Sequence, residues 1–303
     1  KTVFRRRIYD LKRYPGFGAI AAICLGVLYL PLFVLVFFSF NEKRSISIWS
    51  EFSLNWYSKA LANDQIQQAA FNSLVVAVVA TMVSTVLATA AAIATTRGKR
   101  FRGRTASYAL INSPLMVPEI VTAVAVLSFF SMIGLKLGIG NVMIAHAVFC
   151  VPFASLPIRA RLQSMDTTLE QAAADLYSDP LSTFRYITLP LLTPGIMAGA
   201  ALAFVISLDD FIITQMVARA GSTTLPVYIY SQVRVGVTPE VNAISSMLLG
   251  ISIIFVPLLK YTHEIVSKGI SNSSNVTNFF WGNNIISSVL RFIHSNKYGP
   301  CSK

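Results

Sequence analysis

Charge is scarce in this 303-residue chain: Asp, Glu, Lys and Arg make up 13% of it, against 54% apolar residues. A soluble domain carries roughly a quarter charged residues, so about half of the usual polar coat is missing. The apolar residues also come in long uninterrupted blocks, which points away from the pair of soluble domains that the length alone permits. Three cysteines, Cys24, Cys150 and Cys301, lie far apart and offer no CxxC pair or disulfide framework. They read as small buried hydrophobes. His146, His263 and His294 lack metal-ligand spacing, so no metal site is expected. No G-x-x-x-x-G-K-[ST] loop is present, so the chain is not expected to hydrolyse ATP itself. No Ser/His/Asp or Cys/His arrangement suggests other catalysis, and an enzyme is not expected.

What is abundant is bilayer-length hydrophobic sequence. Spans of about 20 apolar residues cross a membrane, and six are expected: 17–40, 71–95, 108–132, 141–160, 195–218 and 241–262. With the N-terminus in the cytoplasm, the inside receives Lys1, Arg5, Arg6, Arg7, Lys12 and Arg13, then Arg97, Lys99, Arg100, Arg102 and Arg104. It also receives Arg159, Arg161, Arg185, Lys260, Lys268, Arg291, Lys297 and Lys303, while Lys43, Arg44, Lys59, Lys136, Arg219 and Arg234 fall outside. Nineteen against six satisfies the positive-inside rule, with both termini inside. The net charge of +12 is therefore topogenic, and no nucleic-acid partner is expected.

Residues 1–16 form a basic N-terminus, and the first block, too long for a signal h-region, reads as a retained helix. The six-span membrane body covers 17–262, and the Asn- and Ser-rich 263–303 reads as a loosely ordered cytoplasmic tail. Trp49, Trp56 and Tyr57 place 41–70 at the outer interface, with a short surface helix expected there. Ser84, Thr85, Ala88, Ala90, Ala91 and Ala92 let the second span pack closely among neighbours. Pro114, Pro118, Pro152 and Pro157 predict kinks in the third and fourth spans.

The longest hydrophilic connection on the inner side is 161–194. Within it, residues 170–190 read Glu-Gln-Ala-Ala-Ala-Asp-Leu-Tyr-Ser-Asp-Pro-Leu-Ser-Thr-Phe-Arg-Tyr-Ile-Thr-Leu-Pro. The pattern predicts a short Ala-rich helix, a bend set by Pro180, and a second helical turn ending at Pro190. An Ala-rich face with Leu176 and Phe184 nearby suits a partner's groove. The stretch resembles the cytoplasmic coupling motif of bacterial ABC importer permeases: Glu-Ala-Ala, three residues, Gly, nine residues, Ile, one residue, Leu-Pro. Counted from Gln171, the spacing holds through Ala172, Ala173, position 177, Ile187, Leu189 and Pro190. Gln171 replaces the first Glu, with Glu170 beside it, and Tyr177 replaces the glycine that eases a tight turn. The coupling residues are therefore Glu170, Gln171, Ala172, Ala173, Asp175, Leu176, Tyr177, Ile187, Leu189 and Pro190.

Pro114-Leu-Met-Val-Pro-Glu119, Ser207-Leu-Asp-Asp210, Leu225-Pro-Val-Tyr-Ile-Tyr-Ser231 and Val235-Gly-Val-Thr-Pro-Glu-Val-Asn242 look like the second permease subunit of spermidine/putrescine importers. The likeness covers about 15–262. It implies an all-α membrane protein with six transmembrane helices in the type I ABC importer permease fold, located in the bacterial inner membrane. It further implies a sister permease as heterodimer partner, two cytoplasmic ATPase subunits that bind the ATP and Mg, and a periplasmic substrate-binding protein. The chain itself is expected to hold no cofactor. ATP-driven closure of the ATPases would move 170–190 and open the path to alternate sides.

Of thirteen acidic residues, Glu119, Asp209 and Asp210 lie deep in spans. A carboxylate at mid-bilayer costs at least ~2.5 kcal/mol on insertion scales. These three either line a hydrated path for a cationic cargo, or pair with the sister subunit, cap broken helices or stay protonated. Adjacent Asp residues point about 100° apart on a helix, so one of the pair should face the path. Other small cationic or zwitterionic cargos, and an ion-coupled secondary transporter, are the alternatives; no internal repeat supports the latter.

Overall fold

Long apolar stretches free of charge become long helices because the backbone then satisfies its own hydrogen bonds. The computed structural model describes residues 17–43, 48–98, 101–135, 138–236, 238–251 and 253. Among them four helices are long and apolar enough to cross a membrane, or five if one bent pair counts as a single span. Among the described residues the regular structure is helical, apart from one isolated antiparallel bridge between Asn41 and Phe52.

The chain divides into two compact units. The first holds α1 (Phe17–Ser39), the bridge, α2 (Asn55–Ala62), most of α11 (Leu225–Val235) and a helix over 239–251. Here the aromatic segment packs on itself: Trp49 stacks on Phe37 at 4.4 Å, and the Trp56 indole donates to the Glu42 carbonyl at 3.1 Å. The Tyr57 hydroxyl lies 2.6 Å from Ser39 Oγ and 2.7 Å from Ser246 Oγ. Within the stretch 41–70, where a short surface helix is expected, α2 is a short helix.

The second unit is the larger. It contains nearly all of α3 (Asp64–Thr96), then α4 (Arg104–Asn112), α5 (Glu119–Met132), α6 (Ile139–Ser164) and α7 (Thr168–Asp175). It continues through α8 (Pro180–Thr183), α9 (Leu189–Asp209) and α10 (Ile212–Val217). Its core gathers small and branched residues from α3, α6 and α9, among them Val76, Ala88, Ala92, Ala154, Ile158, Leu192 and Ala203. The closest crossing is α6 on α9. A Cβ on Gly199 would lie 2.6 Å from the Ala154 carbonyl oxygen, and one on Gly195 would lie 2.6 Å from Arg161 Cβ. Gly195-x-x-x-Gly199 is thus the small-residue contact that lets two membrane helices approach.

Three expectations need correction. The third span is not one helix over 108–132: α4, a 3-10 turn over Ser113–Leu115 and α5 meet at a 106° bend. Pro114 tightens the turn and Pro118 adopts an extended ψ of 133°, so the helix cannot propagate. The fifth span does not run over 195–218. Its helix starts at Pro180, ends at Asp209, and resumes after a break as α10. The turn before Pro190 also does not end there. A π-turn over Phe184–Thr188 absorbs the missing proline N–H, and Pro190 sits in the first turn of α9. Pro152 and Pro157 lie within a continuous α6. The sixth expected span is described only to 251, apart from residue 253, and the N-terminus 1–16 and tail 263–303 lie outside the described residues.

Candidate functional site

The two helix interruptions bring the three acidic side chains together. Glu119 is the first residue of α5, immediately after the bend. Asp209 is the last residue of α9, and Asp210 is the extended residue before α10. All three line one cavity of about 380 Å³ with Phe149 and Phe153 of α6, Ile206 of α9, and Phe211 and Ile212. Phe149 and Phe153 meet at 5.3 Å between ring centroids.

The aspartates differ sharply. Asp210 is 6% exposed and serves as acceptor for α10: the Thr214 N–H and hydroxyl each donate to Oδ2 at 3.0 Å, and the Ile213 N–H donates to Oδ1 at 3.4 Å. Its Oδ2 is also 3.0 Å from His146 Nε2. His146, 1% exposed, lies 2.9 Å through Nδ1 from the Ser207 hydroxyl and 2.8 Å through Nε2 from the Thr214 hydroxyl. One imidazole therefore ties α6 to both sides of the α9–α10 break. Asp209 is exposed and lines the cavity, and among the described residues its side chain makes no hydrogen bond or ion pair. Glu119 is half-buried and lines the same cavity as Asp210. Carboxyls lining one cavity favour a cation among them. The walls are aromatic, and ring faces attract cations.

His146 escaped the sequence reading, which tested histidines only for metal spacing. The signal that could have found it was its position inside an apolar span, where an ionisable residue marks function by default.

The second group of predicted residues forms the α7–α8 corner. The Asp166 carboxylate accepts from the Thr168 N–H at 3.0 Å, and that hydrogen bond holds the Asp166 carboxyl below its ordinary value. On α7, Ala173 is buried, while Gln171, Ala172, Asp175 and Leu176 are exposed. Glu170, not Gln171, makes the inward contacts. It accepts from the Thr188 hydroxyl at 2.9 Å and lies 3.8 Å from the Arg97 guanidinium. Arg97 in turn donates to the carbonyls of Leu162 and Met165 at 3.1 and 3.0 Å. The corner is thus latched to α3, α6 and the start of α9 through Glu170 and Arg97. Asp179 caps α8 by accepting from the Leu181 N–H at 3.2 Å, with Pro180 in the first turn. Ile187, Leu189 and Pro190 are half-buried along the π-turn and the start of α9.

Tyr177 occupies the position where a glycine would ease the turn, and the turn forms regardless. Its φ is 59°, the Ser178 N–H donates to Ala173 at 3.0 Å and the Tyr177 N–H to Ala174 at 3.0 Å. These are the two bonds of a left-handed helix C-cap. A non-glycine residue there costs about 1 kcal/mol.

Residues 84–271 match the family described as binding-protein-dependent transport system inner membrane component, reaching past the 262 at which the likeness was expected to stop. The chain is 37% identical over 229 residues to the putrescine transport system permease protein PotI of Escherichia coli K12, covering 74% of this chain and 82% of the relative. It is 37% identical over 241 residues to the spermidine/putrescine transport system permease protein PotC of Haemophilus influenzae, covering 80% and 93%. Among solved structures it is similar to a chain of a bacterial ABC transporter involved in the import of the acidic polysaccharide alginate. That match has a TM-score of 0.62 at 18% identity, over 81% of this chain and 95% of that one. The MetNI methionine ABC transporter matches with a TM-score of 0.56 at 17% identity, over 69% and 99%. These likenesses give the type I ABC importer permease fold. By family match and by identity to its relatives, the chain belongs to the binding-protein-dependent transport system inner membrane components, the permease subunits of ABC importers.

Proposed function

We propose that this chain is one permease subunit of an ABC importer that carries polyamines, spermidine or putrescine, inward across the bacterial inner membrane. Its relatives named for those cargos support the reading. The observation that carries it is the cavity, where Glu119, Asp209 and Asp210 face aromatic rings. A polyamine is a flexible alkyl chain ending in ammonium groups. Each ammonium is a point charge with three donors, suited to carboxylate acceptors, and its methylenes suit Phe149 and Phe153. Asp209 and Glu119 receive the ammonium, and His146 with Asp210 holds the break that presents them.

The chain has no ATPase site of its own and depends on two cytoplasmic ATPase subunits, with a sister permease and a periplasmic binding protein completing the complex. Both termini and the α7–α8 corner are cytoplasmic. Gln171, Ala172, Asp175, Leu176 and Tyr177 form the face that meets an ATPase, while Glu170 and Ala173 anchor the corner to the helices it moves. ATPase closure pulls the corner, and the Glu170–Arg97 latch passes that displacement to α3 and α9.

The test is uptake of labelled putrescine and spermidine by the assembled importer in proteoliposomes. Ala172→Asp on the exposed face should abolish ATP-dependent uptake while leaving the permease inserted and folded. Ala173→Asp is a poorer probe, because the buried site would disrupt packing as well. Wild-type uptake by Ala172→Asp, or uptake indifferent to competing polyamine, would overturn the reading.

A further inference from the structure

The α7–α8 corner carries two features that a passive hinge does not need. Tyr177 holds a left-handed conformation at a helix end where glycine would sit without strain, yet its side chain is 98% exposed and gains no packing within the chain. Strain of this kind persists where something outside the local structure repays it. Around the ring, Leu176 and Leu181 are also exposed, at 75% and 72%, on a segment outside the expected spans. An apolar patch rimmed by polar groups on such a surface marks a protein contact, and tyrosine is enriched where a few residues dominate binding.

Charge narrows the partner. The whole chain carries +12, yet between Arg161 and Arg185 it has no Lys or Arg and four acidic residues, Asp166, Glu170, Asp175 and Asp179. Glu170 is committed inward to Thr188 and Arg97. The other three are exposed around the corner. An acidic tip with an aromatic centre fits a partner surface with an apolar pocket and a basic rim.

We infer that Tyr177 is the anchor by which this permease selects its own ATPase subunit, its ring filling an apolar pocket that Asp175 and Asp179 align through a basic rim. The inference rests on the reading of the corner as the ATPase contact. It adds that one residue, rather than the helix as a whole, sets affinity and partner choice.

The experiment titrates purified ATPase subunit onto the permease pair in nanodiscs and reads the dissociation constant by fluorescence. Tyr177→Gly suits the backbone better than the native residue, so loss of folding cannot account for its outcome. It should weaken ATPase binding at least tenfold, as should Tyr177→Ala, while Tyr177→Phe stays within about twofold. Raising salt should weaken wild-type and Tyr177→Gly binding in parallel, since the acidic rim is intact in both. Unchanged affinity in Tyr177→Gly overturns the anchor. Ala172→Asp separates the two readings: if it abolishes binding while Tyr177→Gly does not, the anchor alone falls. If neither changes binding, the docking reading falls with it. Tyr177→Trp reports the occupant directly. Its emission should shift to the blue on ATPase addition, whereas quenching by spin-labelled lipid in the absence of ATPase would place the ring in the membrane interface and overturn the proposal.

Discussion

Exchanging each of the two adjacent aspartates for asparagine should produce opposite phenotypes, because the chain uses them differently. The Asp210 carboxylate accepts from two N–H groups and a hydroxyl of α10 and faces His146 Nε2 at 3.0 Å, in a site 6% exposed. Asparagine keeps one acceptor oxygen but turns an NH2 either toward the Ile213 N–H or toward the His146 ring and the two Thr214 donors. An unpaired buried donor costs about 1–3 kcal/mol. The carboxylate meets donors of α10 and the His146 ring together, so the upper end, about 3 kcal/mol, applies to Asp210→Asn. At about 2–4 °C per kcal/mol for a domain of this size, melting should fall by roughly 6–12 °C. Asp209 has no partner of that kind and borders open space in the cavity. Asp209→Asn should leave melting within about 1 °C.

Transport inverts the order. An ammonium–carboxylate hydrogen bond in a partly dry site is worth about 1.5–3 kcal/mol, and each 1.4 kcal/mol is tenfold. Asp209→Asn should therefore lower kcat/KM for polyamine uptake by roughly 10–100-fold. The assay pairs labelled uptake over a range of concentrations in proteoliposomes with thermal unfolding of the same preparation in nanodiscs. Wild-type uptake by Asp209→Asn would refute the ammonium-site reasoning. Unchanged melting of Asp210→Asn would refute its role as cap of α10 and partner of His146.

Gly199→Val places a branched side chain where a Cβ already meets the Ala154 carbonyl at 2.6 Å, so α6 and α9 should separate at a cost of about 3 kcal/mol. Thermal unfolding checks it, and Gly18→Val, at a site with open space around the Cβ, is the control. Glu170→Gln keeps an acceptor for Thr188 but loses the charge facing Arg97, and should lower ATP-driven uptake several-fold with ATPase binding retained. Loss of binding instead would move Glu170 to the docking face. Asp166 is held ionised by the Thr168 N–H, so its folded-state pKa lies below the unfolded one. Its support for α7 is present at neutral pH and lost as pH falls through that lowered value. Amide exchange at Thr168 should therefore quicken below the ordinary carboxylate range, and Asp166→Asn should remove that pH dependence.

Three of the six expected spans, 17–40, 71–95 and 141–160, were legible because an apolar run of bilayer length has few alternatives as a structure. The breaks were less so. Pro114 and Pro118 signalled a kink, but a window of about 20 residues averages over a bend, and the sequence gives no measure of its 106° angle. The break at Asp209–Asp210 contains no proline or glycine. It is set by tertiary bonds from His146 and Thr214, which spacing along the chain cannot show. In the coupling corner the positions were legible and the roles were not. Gln171 held the register of the motif, yet Glu170 faces Thr188 and Arg97, since which of two adjacent residues turns inward depends on what α7 packs against.

The placement of the three acids at helix ends gives a physical reason for the cargo to be cationic. Glu119 opens α5, where the positive end of the helix dipole favours a carboxylate. Asp210 receives the first free N–H groups of α10 and the His146 ring. Asp209 has neither benefit. It closes α9, at the negative end of that helix's dipole, beside two other carboxyls and without an ion-pair partner among the described residues. A protein that ties down Asp210 and leaves Asp209, with Glu119 beside it, facing an aromatic-walled space has left charge to be met from outside. A proton could meet it, but a proton needs neither the space nor the rings of Phe149 and Phe153. An alkylammonium uses all three, so uptake should fall most in Asp209→Asn when the cargo's amines are charged, and an uncharged diol of the same length should not compete.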